Sequence, residues 1–433
     1  MRFTAAIKIP AVRKLLAVRW TGQMTDGIFQ SALASFILFS PERQPDAKSA
    51  AAAFAVVLLP YSFIGPLVGT ILDRISRQRI ILFSNLFRAL TLIFIAGLIR
   101  NGATGIELTI FVLIAFGVNR LILAGLSAGL PLLLDTTGPE GRTTLVSINA
   151  TAVTGGTVFV VIGGGVGIGI RNLLDGRLSA DQADAHLISL SSLTFFIAGL
   201  FALLLKKGDL GPLPHEVRKE SVLQAYREMV AAFQFLRRIR DCFLGITATG
   251  IQRSGLTALT LMALLLNRNT FNDPADPESG LAGFAFAITI AGVGITIGAI
   301  LAPFGVARFG RHKWIRISLF ASATLPLLLA LKQNELLLVL TGFFAGMAGQ
   351  GVKVTNDALV QSKIVDEYRG RVFAVYDVMV NAGIVGGAVI AAMILPADGV
   401  SGLLPLSIAL TYILFASFAL RKRNFNSDFS PTN

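Results

Sequence analysis

Twelve apolar runs succeed one another along the chain, and nearly all have the roughly 20 residues that a helix needs to cross a bilayer. They cover 15–39, 50–72, 79–99, 107–130, 146–170 and 188–206, then 242–267, 281–305, 315–331, 335–356, 372–395 and 400–420. The run 315–331 is the short one. Most gaps between runs are brief and carry breakers, as at Pro41, Pro45 and Asn101-Gly102. The stretch 207–240 differs: it is polar and basic, opens with Pro212 and Pro214, and parts six runs from six. The pattern predicts an all-α polytopic membrane protein with twelve transmembrane helices in two six-helix halves. Its segments are a tail 1–14, a half 15–206, a linker 207–240, a half 241–420 and a tail 421–433. Within the linker, Glu220–Arg238 is amphipathic and predicts a helix lying on the membrane surface.

Charge placement orients the bundle. With a cytoplasmic N-terminus and alternating spans, 26 of the 38 Lys and Arg fall on the cytoplasmic side, 7 outside and 5 within spans. This is the positive-inside pattern, and it puts both termini in the cytoplasm. The run 15–39 is too long for a signal-peptide core and has no A-x-A-like exit, so it reads as the first span.

Composition removes several function classes. Charged residues make up 15% of the 433 and hydrophobic ones 54%, against about 25% charged in soluble domains. The net charge of +13 is spread through inter-span gaps rather than gathered in a stripe, which argues against nucleic acid. The single Cys242 permits no intramolecular disulfide. No residues have metal-ligand spacing, no phosphate loop follows a soluble strand, and neither a cofactor nor an enzyme activity is expected.

An internal repeat adds architecture. Gly69-Thr-Ile-Leu-Asp73-Arg74-Ile-Ser76-Arg77-Gln-Arg79 follows the second run, and Ala307-Arg308-Phe309-Gly310-Arg311-His312-Lys313 follows the eighth. Arg74 and Arg308 are 234 residues apart, as are Arg77 and Arg311. A weaker pair is Gly141-Arg142 and Gly370-Arg371. Repeated halves around a cytoplasmic linker suit a pseudosymmetric transporter. The first motif resembles the cytoplasmic signature of the major facilitator superfamily, and the resemblance covers essentially the whole chain. Ser76 stands where that signature has its second glycine. Asp26-Gly27-x-Phe29-Gln30, Asn119-Arg120 with Ala124-Gly125-Leu126, and Arg369-Gly370-Arg371-Val372-Phe373 with Asp377 and Asn381 resemble the superfamily's bacterial drug and siderophore exporters. The glycine-rich fifth run, Gly155-Gly156 and Gly163–Gly169, resembles an antiporter element without its proline. The resemblance implies a bacterial inner-membrane location. It also implies gating by Gly69, Asp73, Arg74, Arg77, Arg79, Arg371 and Asp377, with the Asp73 carboxylate facing the start of the eleventh helix.

The polar residues inside spans are the candidate site. Asp26 lies halfway along the first span, where an exposed charge costs about 2.5–3.5 kcal/mol on insertion scales. It either binds a proton or a cationic substrate, or makes a static pair with Arg19 or Arg120. Arg88 in the third span needs a partner of its own. Arg120 and Arg253 give a cavity that attracts an anionic or zwitterionic solute. Arg cannot carry the proton, and His186, His215 and His312 lie in or near loops, so proton coupling falls to Asp26, Asp357 or Asp377. Arg19, Lys353, Asn356, Asp357 and Asn381 form a second tier of polar contacts. The expected function is alternating-access secondary transport by a monomer, with protons or sodium as coupling ion. Efflux of a small lipophilic, amphipathic or siderophore-like compound leads. Uptake or lipid transport on the same scaffold, and a non-transporting sensor or assembly protein, remain open.

Overall fold

The computed structural model describes residues 6–38, 75–103, 106–134, 138–174, 176–206, 208–211, 222–274, 276–364 and 366–421. The second apolar run, with Gly69, Asp73 and Arg74, lies outside the described residues, as do 212–221 of the linker and the tail after Arg421. The protein is all-α. The other eleven runs form α1 (Pro10–Leu38), α2 (Arg77–Arg100), α3 (Ile106–Gly129), α4 (Gly138–Leu174) and α5 (Ala180–Ala202), then six more after the linker helix α6 (Val222–Arg238). Those six are α7 (Arg240–Asn269), α8 (Pro277–Phe309), α9 (Arg311–Leu331), α10 (Glu335–Lys363), α11 (Asp366–Ile394) and α12 (Leu403–Leu414), the last running into a π turn at Phe415–Ala419. The short run 315–331 gains its missing turn from Arg311 onward.

Several helices outrun their apolar stretches because caps, not the bilayer edge, set their ends. A capping box between Ser179 and Gln182 starts α5 eight residues before the apolar run and takes His186 into the helix. Asn334 caps α10 through the Leu337 N–H at 2.8 Å. Pro10 begins α1 inside the expected tail, at the first-turn position where a missing N–H costs nothing.

The described helices fall into two compact units, α1–α5 and α7–α12, with α6 joining the second from Tyr226 onward. The pairings inside the units repeat. In the first, α1 packs on α4 and α2 on α5; in the second, α7 packs on α11 and α9 on α12. These are the first-with-fifth and third-with-sixth contacts of each half, as expected of a duplicated six-helix unit. Glycine seams allow the close approach. A methyl at Gly27 would overlap the Val160 carbonyl, and one at Gly163 the Met24 carbonyl; on α11, Gly383 and Gly387 lie against the Gly250 and Ser254 carbonyls of α7.

Eight of the described helices are long and apolar enough to cross a membrane. Large apolar side chains such as Phe83, Phe304 and Met393 point outward, at 63%, 70% and 78% exposure, as lipid-facing residues do. Helices α1 and α7 are not among the eight. They hold the same place in their halves, and they carry Gln23, Asp26 and Gln30, and Gln252, Arg253 and Ser254.

The linker helix packs on the second unit. Ala232 and Leu236 of α6, with Ile239 after it, are buried in a cluster with Cys242, Ile246, Leu359, Val360, Val372 and Tyr376. Part of its apolar stripe therefore packs on α7, α10 and α11, while Val230 stays 54% exposed.

Candidate functional site

In the first unit, Asp26 and Arg88 form an ion pair between α1 and α2, with side chains 4% and 0% exposed. Asn119 of α3 adds a hydrogen-bonding contact to the carboxylate. The Arg88 guanidinium lies 4.1 Å from the centre of the Phe195 ring of α5, a cation–π contact that stabilises a desolvated charge. Among the described residues the Nε and Nη1 of Arg88 have no hydrogen-bond partner. Neither Arg19 nor Arg120 is the partner of Asp26, as the sequence suggested. Arg19, 6% exposed, donates to Gln23 Oε1 at 3.4 Å and to Ser127 Oγ of α3 at 3.3 Å. Arg120 is half-buried on α3.

The second unit holds a looser polar cluster. Arg253 of α7 donates through Nη2 to Gln350 Oε1 of α10 at 3.0 Å. Lys353 pairs with Asp357 one helical turn later at 2.6 Å, with side chains 41% and 27% exposed. Tyr376 of α11 interacts with Asp357, Thr249 and Arg253. Asn356 is fully buried and ties α10 to α7, donating to the Gly245 carbonyl and to Thr249 Oγ1 at 2.5 and 2.6 Å. Beside this cluster a cavity of about 300 Å³ opens between α7, α11 and α12. Ile246, Ile251, Met379 and Ile390 line it, with Ser254 and Tyr412 supplying polar atoms. The Tyr412 hydroxyl donates to the Gln252 carbonyl at 2.8 Å.

The motif residues that are described occupy varied settings. Arg77 is buried and donates to the Ala128 and Leu210 carbonyls, both at 3.1 Å, so it closes the end of α3. Gln78 does the same for α5, donating to Ala202 at 3.2 Å and Leu205 at 2.9 Å. Arg79 is exposed. Arg371 pairs with Glu228 of α6 at 2.9 Å. Asp377 is exposed on α11, and Asn381 is half-buried one turn later. The departure at Ser76 has a physical reason. Ser76 has φ −49°, open to any residue, whereas its repeat mate Gly310 turns the chain at φ 77°, where glycine is favoured.

Sequence reasoning also missed residues. It marked Arg88 as needing a partner without naming Asp26, gave no site role to Asn119, Gln350 or Tyr376, and did not foresee the half-buried pair of Lys363 with Asp241. Arg88 had a signal, a lone cation inside an apolar span; Tyr376 had none. Among the described residues no group of His, Cys, Asp or Glu is arranged to hold a metal.

Helices of membrane length, repeated helix pairings in the two units and a charged cluster in each unit are the features of a polytopic membrane protein. A model of the Major Facilitator Superfamily matches residues 242–432. Two proteins described as uncharacterized MFS-type transporters, from Mycobacterium bovis and Mycobacterium tuberculosis, are each 29% identical over 90% of this chain and 86% of their own length. Solved structures share the fold along nearly the whole chain. The nucleoside transporter NupG superposes with TM-score 0.66 at 15% identity, covering 95% of this chain and 98% of its own. The Escherichia coli fucose:proton symporter FucP gives 0.60 at 15%, covering 96% and 99%. A POT family transporter in complex with 5-aminolevulinic acid gives 0.65 at 12%, covering 94% and 95%. The chain thus resembles the major facilitator superfamily in its second half by family model and along nearly its whole length by fold.

Proposed function

We propose that this inner-membrane protein carries a small polar solute by alternating access, coupled to protons, with uptake as its working direction. The observation that carries the reading is the contrast between two of its carboxylates, Asp26 and Asp357. Asp26 is sealed against Arg88, a cation that cannot give up its proton at physiological pH. Protonating Asp26 would strand that charge in an apolar interior, which is costly. Asp357 is 27% exposed beside Lys353, and Arg253 and Tyr376 are close to it. A proton can reach it, and its neighbours respond to its charge. It is the better coupling residue, and Asp26 holds α1 to α2. The uptake direction takes its support from the fold shared with a nucleoside transporter and a fucose:proton symporter.

Export of a lipophilic compound is the second reading, favoured by the mostly apolar lining of the 300 Å³ cavity between α7, α11 and α12. Sealed proteoliposomes with a luminal pH dye separate the two. Under uptake by symport, an external solute acidifies the lumen, and Asp357→Asn abolishes the signal while solute counterflow persists. Luminal alkalinisation on adding solute to acid-loaded vesicles supports exchange. Unchanged proton movement in Asp357→Asn sinks its coupling role.

A further inference from the structure

Pro10, Arg13, Lys14 and Ala17 recur at the spacing that puts them on one face of α1. With Phe201 and Leu204, at and just past the end of α5, they line an open groove of about 340 Å³ on the surface of the first unit. Its walls are fixed. Lys14 Nζ donates to the Leu204 carbonyl at 3.0 Å, and Gln78 holds the Ala202 and Leu205 carbonyls from α2. Arg13 is exposed at the mouth, and among the described residues neither it nor Lys14 is in an ion pair. No carboxylate precedes Asp26 in the chain. Leu204 and Phe201 are 54% and 36% exposed, and Leu200 and Ile197 continue the apolar strip along α5 at 42% and 37%.

Two chemistries thus meet along one groove, cations at its end and hydrocarbon beyond them. A free phosphate matches only the first, and a neutral lipophile only the second. A guanidinium fork holds a phosphate through two parallel hydrogen bonds. An ammonium has three donors, of which Lys14 spends one on Leu204. Basic residues where a span meets the membrane surface attract anionic headgroups. The apolar strip leaves van der Waals contacts open that an acyl chain completes. We propose that the groove between α1 and α5 binds one anionic phospholipid, with its phosphate on Arg13 and Lys14 and an acyl chain along Ala17, Phe201 and Leu204. The lipid is a bound ligand of the first unit, whichever solute the protein carries.

The test is lipid retention by the purified full-length protein in detergent micelles, followed by native mass spectrometry. Phosphatidylglycerol and phosphatidylcholine with the same acyl chains are the probes, and glycerol 3-phosphate is the soluble competitor. Phosphatidylglycerol is expected to bind at least fivefold tighter than phosphatidylcholine, with no displacement by millimolar glycerol 3-phosphate. Arg13→Gln should weaken phosphatidylglycerol fivefold or more. Ala17→Trp, at an exposed position where added bulk fills the groove, should weaken it as much while keeping every charge. Lys313→Gln removes an exposed cation at the start of α9 in the second unit and should change the affinity by less than twofold. Equal retention of the two lipids means an unselective annulus and overturns the proposal. So does an equal loss in Arg13→Gln and Lys313→Gln, which reports surface charge alone. Displacement by glycerol 3-phosphate leaves a phosphate site without a chain and refutes the lipid assignment. Native affinity in Ala17→Trp shows that the chain lies elsewhere and sinks the proposal. The readout contains no transport step, so failure of the transport reading leaves these outcomes intact.

Discussion

Asp26→Asn removes one charge from a pair buried between α1 and α2 while keeping the shape of the side chain. Arg88 is 0% exposed, and among the described residues its Nε and Nη1 already lack partners, so the guanidinium has nothing there to replace the lost carboxylate. Breaking a buried pair from one side costs about 3–5 kcal/mol, roughly two to three and a half decades in the unfolding equilibrium. Arg88→Met should cost less, on the order of 1–3 kcal/mol, because the stranded Asp26 can neutralise itself by taking up a proton. The double variant Asp26→Leu with Arg88→Met leaves no charge behind and should recover most of the loss, since apolar replacement of a buried pair is often neutral or better. The assay is reversible unfolding in mixed micelles, run as a double-mutant cycle with Asp26→Leu as the matching single variant. Strong non-additivity is expected, with the order of damage Asp26→Asn above Arg88→Met. Additive effects below about 1 kcal/mol each, the range of exposed pairs, would refute the sealed-pair reasoning and return Asp26 to the list of coupling residues. Transport per folded molecule should survive in Asp26→Asn.

Three further outcomes follow from packing and backbone geometry. Gly163→Leu should lower the melting temperature sharply, since its side chain would overlap the Met24 carbonyl of α1, and overpacking costs about 1–3 kcal/mol or more. Gly164→Ala, one residue on and facing open space apart from the Gly27 carbonyl at 3.9 Å, should be near neutral in the same scan. Gly310→Ala should destabilise by about 1–3 kcal/mol, the cost of a strained backbone conformation, because Gly310 has φ 77°; Ser76→Gly, at the matching place in the first half, should stay within a few tenths. Tyr412→Phe removes the 2.8 Å hydrogen bond to the Gln252 carbonyl and should cost about 1 kcal/mol, read from denaturant midpoints.

The sequence carried the helix succession because run length is a coarse signal that tolerates errors of several residues. Helix ends were less legible. The start of α5 at Ala180 depends on the local capping exchange of Ser179 and Gln182, which polarity alone had assigned to a loop. Among site residues, the sequence marked Asp26, Arg253 and Asp357 as charges needing an explanation. It could not say which partner each had. Asp26 meets Arg88, 62 positions away, because α1 and α2 pack with those two positions face to face, whereas Arg19 shares a helix face with Asp26 yet turns to α3. Tyr376 was invisible because a tyrosine in an apolar run reads as packing. The packing of α6 on the second unit was not legible for a related reason. Amphipathicity says that one face needs an apolar neighbour, and lipid and protein satisfy it equally.

The basic residues at the ends of α3 and α5 are tied to particular acceptors. Arg77 holds the Ala128 carbonyl of α3 and Lys14 donates to Leu204 beyond α5 at 3.0 Å, with the neutral amide of Gln78 beside them on Leu205. During insertion only the tally of lysines and arginines on a face matters, and any one can stand in for another. After folding, the same charges become position-specific, since a cation at a helix C-terminus acts only within the last turn. The two stages therefore constrain sequence drift differently. A lysine can migrate along a loop without disturbing which way the chain enters the membrane, yet its departure leaves a particular helix end to fray.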